Sequence, residues 1–253
     1  MIKIMKYPGS KLTVIPEIIG KYNKSNKKYF IDVFSGSGSV IMNIKSEYKI
    51  YNDINPDLVF LFSTLKNNYD LFYKDISKAV ATKKIFFDYY DKRTDFARNN
   101  IYGALKTFYD FNVNFGGMGN TYSKIDKSLY GSIKKNIDNL NLIKNDVKKW
   151  VIENMDFKEL ITKYDSQNSF FYFDPPYPGK SWYEYNFNID DFKDLNNIIK
   201  NIKGKYLMNF NKEDELPLKI FGEPTYIKKY ANQNGRIDKN DLKFRYVSFY
   251  TNL

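Results

Sequence analysis

The stretch FFYFDPPYPG, Phe170–Gly179, holds the residue types best suited to chemistry. Four aromatics end in a carboxylate, two prolines and a tyrosine. Proline has no N–H, so Pro175 and Pro176 offer only carbonyl acceptors. An ionised Asp174 also only accepts. Acceptors beside the Tyr177 ring suit a planar guest bearing an NH2 group, such as the exocyclic amino group of a nucleobase. Acceptors on both N–H bonds draw the nitrogen lone pair out of ring conjugation. The nitrogen becomes a better nucleophile without a formal general base. An electrophilic methyl sulfonium nearby would complete an in-line displacement. A surface turn after a buried strand uses the same D-P and P-P pairs, but four consecutive aromatics favour a strand that ends at a site.

A second stretch, FSGSGSV, Phe34–Val40, places glycines after an apolar run. Glycines between a strand and a helix let backbone approach a ligand closely. Nineteen positions after Phe34 stands Asp53, at the end of the next expected strand. An acid there accepts hydrogen bonds from ribose hydroxyls in nucleotide-binding sheets. The third glycine of G-x-G-x-x-G is missing, because Ile41 takes its place. A tight strand-to-helix turn without a ligand accounts for the glycines alone; with Asp53, a nucleoside-containing cofactor is favoured.

Composition removes most other chemistry. The 253 residues include no histidine and no cysteine. A Ser-His-Asp triad, a Cys-His pair and a thiolate attack on cytosine C5 are therefore excluded. No metal site is expected. No apolar run approaches the roughly 20 residues that span a bilayer, and the opening MIKIMKYPGSK lacks the apolar core of a signal peptide. Lys plus Arg is 40 against 29 for Asp plus Glu, a formal net charge of +11. Such a surface suits a polyanion, although AT-rich coding also enriches lysine. The arginines are only Arg93, Arg98, Arg236 and Arg245, so guanine readout has few candidates.

These residues need an alternating scaffold. Apolar runs predict strands at 29–34, 48–53, 148–153, 169–174, 204–210, 224–231 and 242–251. Helices are expected over VIMNIKSEY (40–48), from Pro56 through Asn68, over 189–202, and over most of 69–144. The fold class is α/β with a mixed sheet, since the last two strands read as a hairpin. The 69–144 stretch reads as an inserted helical lobe around a glycine-rich loop, NFGGMGNTYSK (Asn114–Lys124).

Four blocks occur in a telling order: KYPGSK (Lys6–Lys11), DVFSGSGSV (Asp32–Val40), YNDIN (Tyr51–Asn55) and FDPPY (Phe173–Tyr177), with NMDFKEL (Asn154–Leu160) as a fifth. With them the chain resembles the Dam-type DNA adenine-N6 methyltransferases, including phage forms, of the α arrangement. The resemblance implies a Rossmann-like class I methyltransferase sheet of seven strands, with residues 1–68 and 145–253 as catalytic domain and 69–144 as DNA target-recognition lobe. It implies S-adenosylmethionine as methyl donor. Tyr7 and Lys11 would contact its methionine part, Phe34, Gly36 and Gly38 would line its loop, and Asp53 would bind its ribose. Asp156 and Phe157 would meet its adenine, and Asp174 would also be a cofactor contact.

Asp174 and the Pro175 carbonyl would hold the target amino group, with Tyr177 stacked on the extruded base. Expected DNA contacts are Lys6, Phe115, Asn120, Tyr122, Lys124 and Arg236. Double-stranded DNA is the expected partner and a cognate restriction endonuclease a candidate one, with the chain a monomer or weak dimer. A cytoplasmic place in a bacterial or phage-infected cell is implied. Tyr7 stands where many members have Trp, and the loop lacks the arginines of GATC-specific relatives. Methylation of RNA or of a protein Gln, and an inactive nucleic-acid-binding module, are the competing readings.

Overall fold

The central apolar runs are continuous because both faces of their strands are covered. The computed structural model describes residues 1–7, 9, 11–79, 101–113, 127–176, 187–231 and 244–253. Its strands are β1 (Tyr29–Asp32), β2 (Tyr48–Asn52), β3 (Val151–Glu153), β4 (Ser169–Phe173), β5 (Lys205–Asn211), β6 (Tyr226–Ala231) and β7 (Phe244–Thr251). They form one seven-stranded sheet in the order β3-β2-β1-β4-β5-β7-β6. β3, β2, β1, β4 and β5 run parallel, whereas β7 is antiparallel to both β5 and β6. The sheet is therefore mixed, as the hairpin pattern predicts. All seven expected strands are present.

β4 shows why alternation is absent from the central strands. Phe170 and Tyr172 enter one core cluster, and Phe171 and Phe173 enter the other. A parallel strand with helices on both faces reads as a continuous apolar run. One face is covered by α1 (Ile15–Ser25), α2 (Pro56–Asn67), α3 (Tyr69–Ala79), α4 (Ile101–Val113) and α5 (Lys127–Val147). The other is covered by α6 (Phe157–Tyr164), α7 (Ile189–Asn201) and α8 (Glu215–Phe221). α3, α4 and most of α5, which runs on to Val147, belong to the 69–144 stretch. Their Phe72, Leu105, Phe108 and Ile137 join the same cluster as α1 and α2. Among the described residues, no helix is long and apolar enough to cross a membrane.

The helix expected over 40–48 does not form. Only a single 3-10 turn, Ile41–Asn43, follows the glycines, and Ile44 is already extended. The cause is competition for polar side chains. Asn43 donates from Nδ2 to Ile2 O (2.7 Å) and accepts from Ile2 N (2.8 Å). Ser46 Oγ reaches Lys28 O and Tyr48 O, each at 2.9 Å. Asn and Ser offer backbone groups an alternative to the helix.

The chain order reverses between β1 and β4. β1 leads outward to β2 on one side, and β4 leads to β5 on the other. A crevice opens there at the carboxyl ends of the strands. The Phe34–Val40 turn leaves β1 into that crevice, and Gly38 closes it with φ +67°. A Cβ at Gly38 would lie 2.8 Å from Phe62 Cζ. The Phe62 ring is fully buried and packs on Tyr51 (4.3 Å between centroids) and Trp150 (5.9 Å). Gly38→Ala combines backbone strain with an overpacked core, and should destabilise the fold by about 1–3 kcal/mol. The urea midpoint should fall with the slope unchanged; an unchanged midpoint would mean that the turn relaxes without cost.

Candidate active site

The site begins with Asp53 and the glycine turn. Ser35 N donates to Asn52 O (2.9 Å), and Ser35 Oγ donates to Asp32 O (2.8 Å), so the turn is sewn to the ends of β1 and β2. Gly36, at φ +50°, donates its N–H to Asp53 Oδ2 at 2.7 Å. Asp53 Oδ1 accepts from Asn55 N at 2.9 Å. Tyr51 OH donates to Gly36 O (2.7 Å). Burial pushes the Asp53 carboxyl up to about 6, while the amides of Asn55, Gly36 and Ile54 hold it down. Each carboxylate oxygen keeps a lone pair beyond these bonds.

β3 is tied to the same edge by two asparagines. Asn52 Nδ2 donates to Val33 O (2.9 Å) and Met155 O (3.1 Å), and Asn52 Oδ1 accepts from Met155 N (3.0 Å). Asn154 Nδ2 donates to Asp53 O (2.8 Å). The loop after β3 then ends in Asp156, the exposed N-cap of α6, whose Oδ1 accepts from Lys158 N at 2.9 Å. Phe157 is buried beside Phe34 (6.0 Å) and Phe187 (5.2 Å). These rings form an apolar wall at the mouth of β1 and β3.

Asp174 leaves β4 at the same edge. Lys11 Nζ lies 2.9 Å from Asp174 Oδ1 and donates to Gly9 O at 3.0 Å. Burial raises the Asp174 carboxyl above its ordinary value, and Lys11 and then Arg245 pull it back. Lys11 is itself buried, while Asp174 keeps some exposure toward the crevice. Pro175 is buried and Pro176 half-buried.

Between Asp53 and Asp174 stands Asp32, 1% exposed, in register with Tyr51 and Tyr172. Among the described residues neither of its oxygens has a well-formed hydrogen bond, though the Ile41 amide lowers its carboxyl somewhat. Burial, reinforced by Asp174 and Asp53, pushes its carboxyl well above the ordinary range. Three acids thus meet at the ends of β1, β2 and β4 with one buried lysine among them. Ionising such buried acids is costly without a counter-charge, so a cationic guest would favour their charged forms. A glycine turn, an acid with spare acceptors, an aromatic wall and an unsatisfied carboxylate fit a nucleoside joined to a cation.

Comparison with known proteins agrees with this geometry. A profile of the D12 class N6 adenine-specific DNA methyltransferase family matches residues 7–233. The chain belongs to that family. The methyltransferase is 28% identical over 221 residues to the Type II methyltransferase M.MjaIII of Methanocaldococcus jannaschii, covering 74% of this chain and 75% of that one. It is 30% identical over 192 residues to the DNA adenine methylase of Haemophilus influenzae, covering 68% of this chain and 63% of that one. It is also 24% identical over 247 residues to the Type II methyltransferase M1.LlaDCHI of Lactococcus lactis subsp. cremoris, covering 85% and 83%.

The matched span contains every block named above except Lys6. In the methyltransferase, Lys11, Phe34, Gly36, Gly38, Asp53, Asp156, Phe157, Asp174 and Pro175 all lie at the carboxyl edge of β1–β4. Tyr7 joins them through Gly36: a Cβ on that glycine would meet Tyr7 Cε1 at 2.7 Å. Lys6 is half-buried beside it. Tyr177, Phe115, Asn120, Tyr122, Lys124 and Arg236 lie outside the described residues. Sequence reasoning passed over Asp32, Asn52, Asn154 and Phe187. Asp32 stands inside an apolar run and reads as strand. The asparagines show their value only once strands distant in sequence are adjacent.

Proposed function

We propose that this methyltransferase binds S-adenosylmethionine at the glycine turn and methylates N6 of an adenine extruded from double-stranded DNA into the DPPY pocket. The observation that carries the reading is Asp174. It is an acid at the end of β4, ion-paired to buried Lys11, on the same edge as the Asp53-held turn. The cofactor would supply a methyl group on a sulfonium. Asp53 would accept from ribose hydroxyls, and the Gly36–Gly38 backbone would allow close approach. Phe34 and Phe157, with the Asp156 cap, would border the cofactor adenine. Tyr7 would wall the methionine part. Lys11 would be shared between that part and Asp174.

Lys11 opposes the pull of burial on Asp174 and so favours its ionised form. Asp174 then acts as an acceptor, taking one N–H of the target amino group while the Pro175 carbonyl takes the other. The lone pair of N6 is localised toward the methyl group. Tyr177 stacks on the extruded base, which pays part of the cost of leaving the duplex. Residues 1–68 and 145–253 form the catalytic part and 69–144 the recognition lobe. Lys6, Phe115, Asn120, Tyr122, Lys124 and Arg236 are the proposed DNA contacts. Relatives bearing Type II names support a cognate restriction endonuclease as companion. A cytoplasmic monomer or weak dimer suits that work.

The test is an acceptor comparison with purified protein and methyl-labelled S-adenosylmethionine. Duplex DNA, single-stranded DNA, RNA and protein are offered in parallel. Label is expected in duplex DNA. Label confined to RNA or protein, or none in any DNA, would refute the reading.

A further inference from the structure

The chain before Tyr7 is an irregular strap outside the sheet, and three asparagines from different elements hold it. Asn43 bonds both backbone groups of Ile2. Asn139 of α5 donates to Lys3 O at 2.9 Å. Asn112 of α4 donates to Ile4 O at 3.2 Å and to Phe108 O at 2.8 Å, and its Oδ1 accepts from Asn136 at 2.7 Å. Asn112 is 1% exposed, so its amide is desolvated and spent on these bonds. An apolar residue would fill such a site without that cost. What an amide adds is a fixed register between α4 and the strap.

The strap delivers Tyr7 to the glycine turn. The Tyr7 ring lies against Gly36 on one side and Phe111 on the other, 5.3 Å between centroids and tilted by 47°. Phe111 and Asn112 sit in the last turn of α4, which ends at Val113. Asn114, the next residue, opens the segment proposed above to contact DNA. The aromatic wall of the cofactor site and the root of the recognition segment therefore share one helix end.

We propose that Phe111 and Asn112 are positioning residues that set Tyr7 against the glycine turn, and that they link cofactor binding to DNA binding. The inference rests on the functional reading above. A shift of the α4 end on engaging DNA moves Phe111 and the Ile4 anchor together, and Tyr7 with them. Linkage is reciprocal, so cofactor binding must favour the same arrangement of α4.

The test is calorimetric titration of the full chain with S-adenosylhomocysteine, alone and with saturating sheared duplex DNA. In the unaltered protein the two affinities should differ by about fivefold or more. Phe111→Ala should weaken binding without DNA by about tenfold and bring the ratio of the two affinities to about one. Phe111→Tyr should restore both. Asn112→Ala should also abolish the ratio. Thermal melting of each variant separates this from unfolding, since Phe111 is only partly buried. A ratio of about one in the unaltered protein, or a ratio unchanged in folded Phe111→Ala, would overturn the linkage. Failure of the unaltered protein to bind S-adenosylhomocysteine at all would instead refute the cofactor reading, and this inference with it.

Discussion

Asp174→Asn should lower methyl transfer by about 10³-fold while leaving DNA affinity within about twofold. The substitution keeps the size of the side chain and removes its charge. One acceptor oxygen remains, but an NH2 group can now face the target amino group, donor against donor. Removal of a single preorganised group of this kind typically costs 10²–10³ in turnover, or about 3–4 kcal/mol. Lys11, a buried ammonium, then loses the carboxylate 2.9 Å away, which adds to the loss. Phosphate contacts lie elsewhere and carry most DNA affinity. Lys11→Met is the informative companion. Without the ammonium, only the weaker pull of Arg245 opposes burial at Asp174. Its carboxyl should rise further, and the acid limb of the pH–rate profile should move to higher pH. Single-turnover transfer and filter binding measure the two halves. Asn at 174 with near-normal turnover would end the acceptor mechanism.

Lowering the pH through 6 should weaken cofactor binding by about tenfold per unit. Asp53 is pushed up to about 6 by burial. Its guest would donate hydroxyls, which favours the ionised form. Below that value each binding event must first release a proton. The stability of the free protein should run the other way. Asp53 binds its proton more tightly when folded than when unfolded. Between the unfolded value near 4 and about 6, the folded state therefore holds more protons, and stability falls as pH rises. Asp32 and Asp174, also raised by burial, act in the same sense. Three acids gathered at one edge thus cost stability at neutral pH and make the edge ready for a cation. Asp53→Asn should flatten the affinity profile between pH 5 and 7 and weaken its plateau by about tenfold or more, since a bond to a charged group is worth about 1.5–3 kcal/mol. Calorimetry across pH, with melting of the free protein, reads both slopes. Affinity and stability falling together toward acid would contradict this assignment.

Much of this was legible in the chain because the central strands are buried on both faces. FFYF announces a strand by continuity, and Asp174 marks its end. Asp53 was legible for the same reason, as the acid that stops YKIYN. The segment 40–48 was not, because Asn43 and Ser46 bond to residues 41 and 18 positions away. No local pattern encodes those partners, and the helical spacing of VIMNI misleads. Asp32 was opaque for another reason. A lone acid in YFIDVF looks like a strand residue facing solvent, and only the neighbours β2 and β4 bury it. Phe111 reads as an ordinary apolar position of an aromatic helix. Its contact with Tyr7 depends on a strap more than 100 positions earlier in the chain, held by Asn112 and Asn139.

The measurement that bears most directly on the central claim is sequencing of DNA from cells that express this protein, with detection of modified bases. N6-methyladenine at one recurrent sequence context is expected, absent from cells expressing Asp174→Asn. N4-methylcytosine in its place, or DNA indistinguishable between the two, would contradict the assignment of adenine N6 as the acceptor held by Asp174 and Pro175.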